Sequence, residues 1–226
     1  MSRLIKSKKA LSYSDEFRSQ CRALEPLQDG IVAGEHVKIG RLPGVHAEAQ
    51  VEQAEQRTNS LFLPSAQLAP AIRATSDLGE MAALPVLLMV TPAQFLAGVL
   101  GAMGRKDGDV VLCSKGIEAG TGRLMAEVAR DAASGAEIAV LSGPTFAHEV
   151  AAGLPTAVTL ACEGGETQWQ RLSTVIARPT FRPYYSDDVA GAEIGGAVKN
   201  VLAIACGVVD GLGLGQNARA ALISRG

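Results

Sequence analysis

Three short aliphatic runs, each broken off by small and polar residues, constrain this chain more than any other feature. They are Pro85–Val90 (PVLLMV), Asp109–Leu112 (DVVL) and Glu137–Leu141 (EIAVL). They stop at Thr91-Pro92, Ser114-Lys115-Gly116 and Ser142-Gly143-Pro144-Thr145. Runs this short, apolar on both faces and closed by turn residues, read as strands buried between two layers. Stretches with helical spacing separate them: Ala93–Met103, then Thr121–Ala133, where Leu124, Val128 and Ala132 recur on one face. Another helix start follows Thr145, and Thr156–Ala161 (TAVTLA) and Phe181–Tyr185 read as two further strands. Strands alternating with helices of about ten residues predict βαβ units and a mostly parallel α/β sheet. Such sheets hold their ligands at the carboxyl ends of the strands. Chemistry is therefore expected in the loops at Thr91, Lys115 and Thr145.

Composition narrows the class of protein. The chain has 226 residues, 47% hydrophobic but only 4% aromatic, so its core is aliphatic. Lys+Arg 21 against Asp+Glu 23 leaves a net charge of -2, without the basic excess that nucleic-acid binding needs. Cys21, Cys113, Cys162 and Cys206 are far apart and form neither a metal-ligand spacing nor a disulfide framework, so free thiols and a cytoplasmic location are expected. The polar start Met1-Ser-Arg-Leu-Ile-Lys does not read as a signal peptide. No unbroken apolar run reaches the roughly 18 residues of a membrane span, so none is expected.

The chain reads as unlike pieces. Residues 1–58 hold 9 Lys/Arg and 8 Asp/Glu, a charge density nearly twice that of the rest, and contain no run of four aliphatic residues. Ser14–Leu27 and Val45–Gln56 are the two short helices expected there, in what reads as a poorly packed extension. At the other end Val189–Leu212 is apolar nearly all round, with Asp187 or Asp188 placed to cap it. A helix of that kind is expected to be buried as the spine of a second, helical domain, followed by a short helix at Asn217–Ser224. Few residues follow to cover it, so another chain or a missing part is expected to do so.

Lys199 is the sharpest candidate for chemistry, the one charged residue between Glu193 and Asp210. A desolvated ammonium lowers its pKa and becomes able to exchange a proton near neutral pH. Gly195-Gly196, one turn earlier, lets a ligand or backbone approach. The competing reading is a lysine whose stem is buried and whose head reaches solvent. Thr145, after Ser142-Gly143-Pro144, stands where free N–H groups of a helix start could meet an anion, although an ordinary strand–helix loop looks the same. Lys115 puts a cation just beyond a strand end, or is a solvated loop lysine. His148 reads as a surface residue. Gly211-x-Gly-x-Gly has the wrong spacing, and follows a helix rather than a strand, for a dinucleotide loop.

Taken together, Ser114-Lys115-Gly116-Ile-Glu, Ser142-Gly-Pro-Thr-Phe-Ala147 and Gly196-Ala-Val-Lys199-Asn200-Val resemble bacterial NAD(P)-dependent glycerol-3-phosphate dehydrogenase. The resemblance is dense from about Asn59 to Gly226. It implies an α/β fold: an incomplete Rossmann-like, mostly parallel sheet with helices, followed by the start of an all-helical second domain. The pieces would be 1–58 without a dinucleotide fingerprint, 59–187 as the remainder of the NAD(P)-binding domain, and 188–226 as the start of the helical substrate domain. It further implies NAD or NADP as cofactor, and dihydroxyacetone phosphate and sn-glycerol 3-phosphate as substrate and product, in glycerophospholipid precursor synthesis. By motif, Lys199 is the catalytic proton donor and also meets substrate. Lys115 would contact both cofactor and substrate, Gly143 and Thr145 the substrate, Ala147 the cofactor; Asn200 would lie beside the substrate. The family's opening strand and Gly-x-Gly-x-x-Gly loop have no counterpart in residues 1–58, which implies a shifted reading frame or a wrong start upstream of Asn59. Translation of the other two frames tests this. The family's later helical residues, an acidic group and an Arg-Asn pair, also have no counterpart. The alternative is therefore an inactive remnant acting as a weak binding or association module. Self-association through the uncovered helix, with no nucleic acid and no membrane span, completes the expectation.

Overall fold

The computed structural model describes residues 37–40, 56–60, 63–67, 69–75, 77–105 and 107–225. The helices expected at Ser14–Leu27 and, apart from Gln56, at Val45–Gln56 lie outside these residues. The strands are β1 (Val37–Gly40), β2 (Thr58–Asn59), β3 (Leu63–Gln67), β4 (Ile72–Thr75), β5 (Val86–Met89), β6 (Asp109–Leu112), β7 (Glu137–Ser142), β8 (Thr156–Cys162) and β9 (Phe181–Ser186). The α-helices are α1 (Leu78–Ala82), α2 (Leu96–Met103), α3 (Met125–Ala132), α4 (Ala147–Ala151), α5 (Gly165–Ile176), α6 (Val189–Gly211) and α7 (Gly215–Arg225).

Five strands form the main sheet in the order β5-β6-β7-β8-β9. The β5–β6, β6–β7 and β8–β9 pairings are parallel, whereas β7 and β8 run antiparallel. The mostly parallel expectation therefore holds. Two smaller pairs stand apart, β1 with β4 in parallel and β2 with β3 antiparallel. The strand at Val37–Gly40 contradicts the reading of that region as strandless. Its sequence VKIG alternates apolar with other residues, which a search for unbroken aliphatic runs overlooks.

The two faces of the sheet bury alternate residues of β6. Val110 and Leu112 pack with Leu96, Leu100, Met125 and Ile138 under α2 and α3, while Val111 joins Leu160, Leu172 and Phe181 under α5. Leu96, Leu100 and Leu172 are wholly buried, each stabilising the fold by roughly 2 kcal/mol. The helix α5 was not foreseen: its polar residues hide an apolar stripe of Leu172 and Ile176. Two other helices begin later than expected. Residues 93–95 form a 3-10 turn ahead of α2, and Ile117 pairs with Leu124 in a β-bridge that delays α3 to Met125.

At the amino end of the strands, Asp109 is held from α5. Arg171 donates to it through two nitrogens at 2.9 and 2.8 Å, Gln168 adds a bond at 3.0 Å, and Arg171 also reaches Glu137 at 2.9 Å. The buried Arg105 guanidinium donates to the carbonyls of Ala82, Leu84, Pro85 and Asp109, tying the α1–β5 turn to β6.

Helix α6 stands largely uncovered, as expected for an apolar helix with few residues after it to cover it. Only Glu193 and Gly196 are buried in it, while Val201, Ile204 and Val208 are 63%, 70% and 54% exposed. Gly196 packs on Ser142, the last residue of β7, and the turns of the helix after it are mostly exposed. By length and composition alone, α6 is long and apolar enough to cross a membrane, with a mean hydropathy of 1.5. Counting unbroken apolar residues missed this because Glu193 and Lys199 interrupt the run.

Candidate active site

The carboxyl ends of β6 and β7 meet the inner side of α6. Lys115 leaves β6 two residues after the buried Cys113, in a loop pinned from both sides. The Ser114 hydroxyl donates to the carbonyls of Met89 and Thr91. Across the loop, Gln94 donates to the Ile117 carbonyl at 2.9 Å and accepts from the Ala119 amide at 2.8 Å. Gly116 turns there with φ +131, where a Cβ would stand 3.2 Å from that of Ala93.

Helix α6 brings Lys199 to this loop. Gly196 permits the approach: a Cβ on it would be 3.1 Å from Ser142 Oγ and 3.8 Å from Lys115 Cγ. One turn on, the half-buried Lys199 comes within hydrogen-bonding reach of the Lys115 side chain. Burial, and then the bond and charge of Lys199, lower the Lys115 amine to about 8. The amine that burial desolvates is thus that of Lys115, in the loop after β6. Burial pushes the neighbouring Cys113 thiol up to about 12, so it is an inert core group. Among the described residues no carboxylate acts on the Lys115 amine, and no ion pair joins it to one.

The third loop completes the edge. Gly143 lies against β8, where a Cβ would meet Val158 Cγ1 at 2.9 Å and Val158 Cα at 3.1 Å. The Thr145 amide donates to the Gly143 carbonyl at 3.1 Å. Helix α4 begins only at Ala147, after Phe146, so Pro144 does not occupy its first turn as expected. Asn200 is exposed, and His148 is an exposed residue against the Phe146 ring at 6.1 Å.

Two supporting residues escaped the sequence reading. Gln94 is one; its signal, a polar residue just after Thr91-Pro92, is too common to decode. Glu193 is the other. It is 6% exposed on α6 and accepts from the Ala126 amide of α3 at 2.9 Å, with its second oxygen unpartnered. Burial raises its pKa. It had served only to mark where the apolar run begins.

Residues 39–168 match the family model described as NAD-dependent glycerol-3-phosphate dehydrogenase N-terminus, and residues 188–226 match the corresponding C-terminus. The chain belongs to the NAD-dependent glycerol-3-phosphate dehydrogenase family. The first matched span starts inside the charged segment 1–58. Among curated relatives, the glycerol-3-phosphate dehydrogenase of Novosphingobium aromaticivorans is 79% identical over 180 residues, 80% of this chain and 54% of the relative. That of Erythrobacter litoralis is 66% identical over the same coverage. The chain thus spans about half the length of these curated relatives. The crystal structure of glycerol-3-phosphate dehydrogenase from Coxiella burnetii shares the fold with a TM-score of 0.76 at 33% identity, covering 90% of this chain and 62% of that one. The Rossmann-like sheet and the helices that follow it are those of the glycerol-3-phosphate dehydrogenase family.

Proposed function

We propose that this chain acts as an NAD(P)-dependent dehydrogenase interconverting dihydroxyacetone phosphate and sn-glycerol 3-phosphate, a reaction that feeds glycerophospholipid synthesis in the cytoplasm. The observation that carries the reading is the Lys115–Lys199 pair at the carboxyl edge of the sheet, with no acidic partner among the described residues. A phosphorylated hydroxyketone supplies what that pair lacks, a dianionic phosphate and an oxygen that gains negative charge as its carbon is reduced.

NAD or NADP, when bound, would supply or accept the hydride at that carbon. Its nicotinamide end suits the residues present. Thr91, two residues past the end of β5, keeps a buried hydroxyl oxygen without a partner, and Lys115 and Ala147 follow β6 and β7 at the same edge. Lys199 donates a proton to the substrate oxygen during reduction and takes it back during oxidation. A positioned general acid of this kind contributes about 100-fold to 10,000-fold in rate. Lys115, whose amine is held near 8, is mostly protonated at neutral pH and holds the anionic end; above pH 8 it takes up a proton as the anion enters. Gly143 and Thr145 line the substrate side of the loop after β7, and the pinned Gln94 loop keeps Lys115 in place.

The test is oxidation of NADH or NADPH by the purified chain on adding dihydroxyacetone phosphate, with Lys199→Ala in parallel. A rate at least about 100-fold lower in the variant is expected; equal rates would refute the role of Lys199. The apolar residues that α6 leaves in solvent support self-association, which sedimentation over a range of concentrations measures.

A further inference from the structure

We propose that Glu193 is a positioning residue: by holding the amino terminus of α3 it sets the tilt of α6 and so holds Lys199 against Lys115. The inference rests on the paired-lysine site described above and adds the element that keeps the pair together.

Helix α6 bears on the sheet domain through its first two turns, where Glu193 and Gly196 are its buried residues. The Gly196 contact is a close approach without directional bonding, and would let the helix pivot. Glu193 supplies the direction. Its carboxylate accepts the Ala126 amide at 2.9 Å, and the Met125 amide is also turned towards it. These belong to the first turn of α3, whose N–H groups have no partner within the helix. The Leu124 amide is already served from within α3, by Glu127 at 2.8 Å, so Glu193 takes what Glu127 leaves.

Burying a carboxylate with one oxygen unpartnered is costly, and a purely packing role would be served better by a leucine. The charged groups around it are Glu127 and Arg130, both on α3. Neither forms an ion pair with it, so Glu193 is bound to backbone rather than to a countercharge. A carboxylate accepting from a helix terminus is a directional contact. Six residues separate Glu193 from Lys199 on one rigid helix, so a tilt released at Glu193 is felt at the amine.

The readout is the pH dependence of Lys115 labelling by an amine-acylating reagent, followed by peptide mass mapping of the full chain. Lys115 faces Lys199 and Cys113, and its amine titrates at about 8 because burial and Lys199 both act on it. Losing Lys199 from its side raises that midpoint; one unit cuts the neutral fraction at pH 8 about fivefold. Lys199→Ala sets the scale. Glu193→Asp, one methylene too short for the Ala126 amide, is expected to lower Lys115 labelling towards the Lys199→Ala level. Glu193→Gln, which keeps an acceptor in place, is expected to label like the wild type.

Wild-type labelling in Glu193→Asp, or a loss in Glu193→Gln as large as in Lys199→Ala, would overturn the proposal. If Glu193→Asp does not fold, Glu193→Gln and hydrogen exchange of the wild-type Ala126 amide decide. Slowed exchange there is expected, and free exchange would overturn it. Unchanged Lys115 labelling in Lys199→Ala would instead overturn the paired-lysine site itself. Absence of dehydrogenase activity with all these labelling patterns intact would count against the proposed reaction alone.

Discussion

Gly196 packs on Ser142 so closely that a Cβ would stand 3.1 Å from the serine hydroxyl. The glycine therefore sets the spacing between α6 and the end of β7, and with it the approach of Lys199 to Lys115. Gly196→Ala is expected to act in opposite directions on two properties. Helix propensity improves by up to about 1 kcal/mol, while the added methyl pushes α6 outward. A urea midpoint no lower than that of the wild type, together with dehydrogenase activity reduced about tenfold, is the expected pattern. Activity unchanged would mean that the hydroxyl rotates away and the spacing is not set there.

Anion binding should take up protons. The ligand-free Lys115 amine sits at about 8, below the ordinary 10.5, and an anion between the two amines favours its charged form. Between about pH 8 and 10.5 the complex then holds more protons than the free protein. Calorimetry with glycerol 3-phosphate at pH 8.5, in two buffers of different ionisation enthalpy, is expected to show net proton uptake, and Lys115→Met is expected to abolish it.

The same shift predicts how stability depends on pH. The folded-state pKa of Lys115 lies below the unfolded value, so from pH 8 to 10.5 the unfolded chain binds more protons and stability rises with pH. Below pH 8 the folded protein carries the full cost of charging this amine. Lys115→Met should therefore stabilise the ligand-free protein at pH 7, on the order of 1 kcal/mol after allowing for solvent screening. Above about pH 10.5 the gain should vanish, as urea titrations at the two pH values would show.

Gly143 has no room for a side chain, because a Cβ would lie 2.9 Å from Val158 Cγ1 and 3.1 Å from its Cα. Gly143→Ala is expected to cost about 1–3 kcal/mol. Adding Val158→Ala should recover only part of it, since the backbone contact remains; full recovery in thermal melts would place the clash in the side chain alone.

Asp109→Asn removes a carboxylate that accepts three hydrogen bonds from Arg171 and Gln168 at the far end of the sheet. A loss of about 2–3 kcal/mol in urea unfolding is expected. Lys115 labelling should not change, because this network lies at the amino ends of the strands. A coupled change would show that the two ends communicate.

These residues also show what could be read from sequence. The strands β5 to β7 were legible because continuous aliphatic runs survive wherever both faces of a sheet are covered, whereas β9 buries only the alternate residues Phe181 and Pro183. The helix α5 was not, since one buried stripe of Leu172 and Ile176 is diluted by exposed polar residues. Lys115, Gly143, Thr145 and Lys199 were named from motifs. Only the fold could bring the two amines together, because 84 residues separate them (199 less 115). Glu193 and Gln94 were unreadable for a different reason. Their partners are backbone groups of Ala126, Ile117 and Ala119, and a backbone amide leaves no mark in a sequence.

The exposed turns of α6 after its buried Gly196 give the helix the proportions of a lever with its fulcrum at that glycine. Lys199 lies three residues past the fulcrum and Gly211 fifteen (199 and 211 less 196). At about 1.5 Å per residue, a swing that displaces the far tip by 4 Å moves the backbone at Lys199 by roughly 0.8 Å. Lys199 thus sits on the short arm, where an excursion of the exposed end would be geared down about fivefold before it reached the amine.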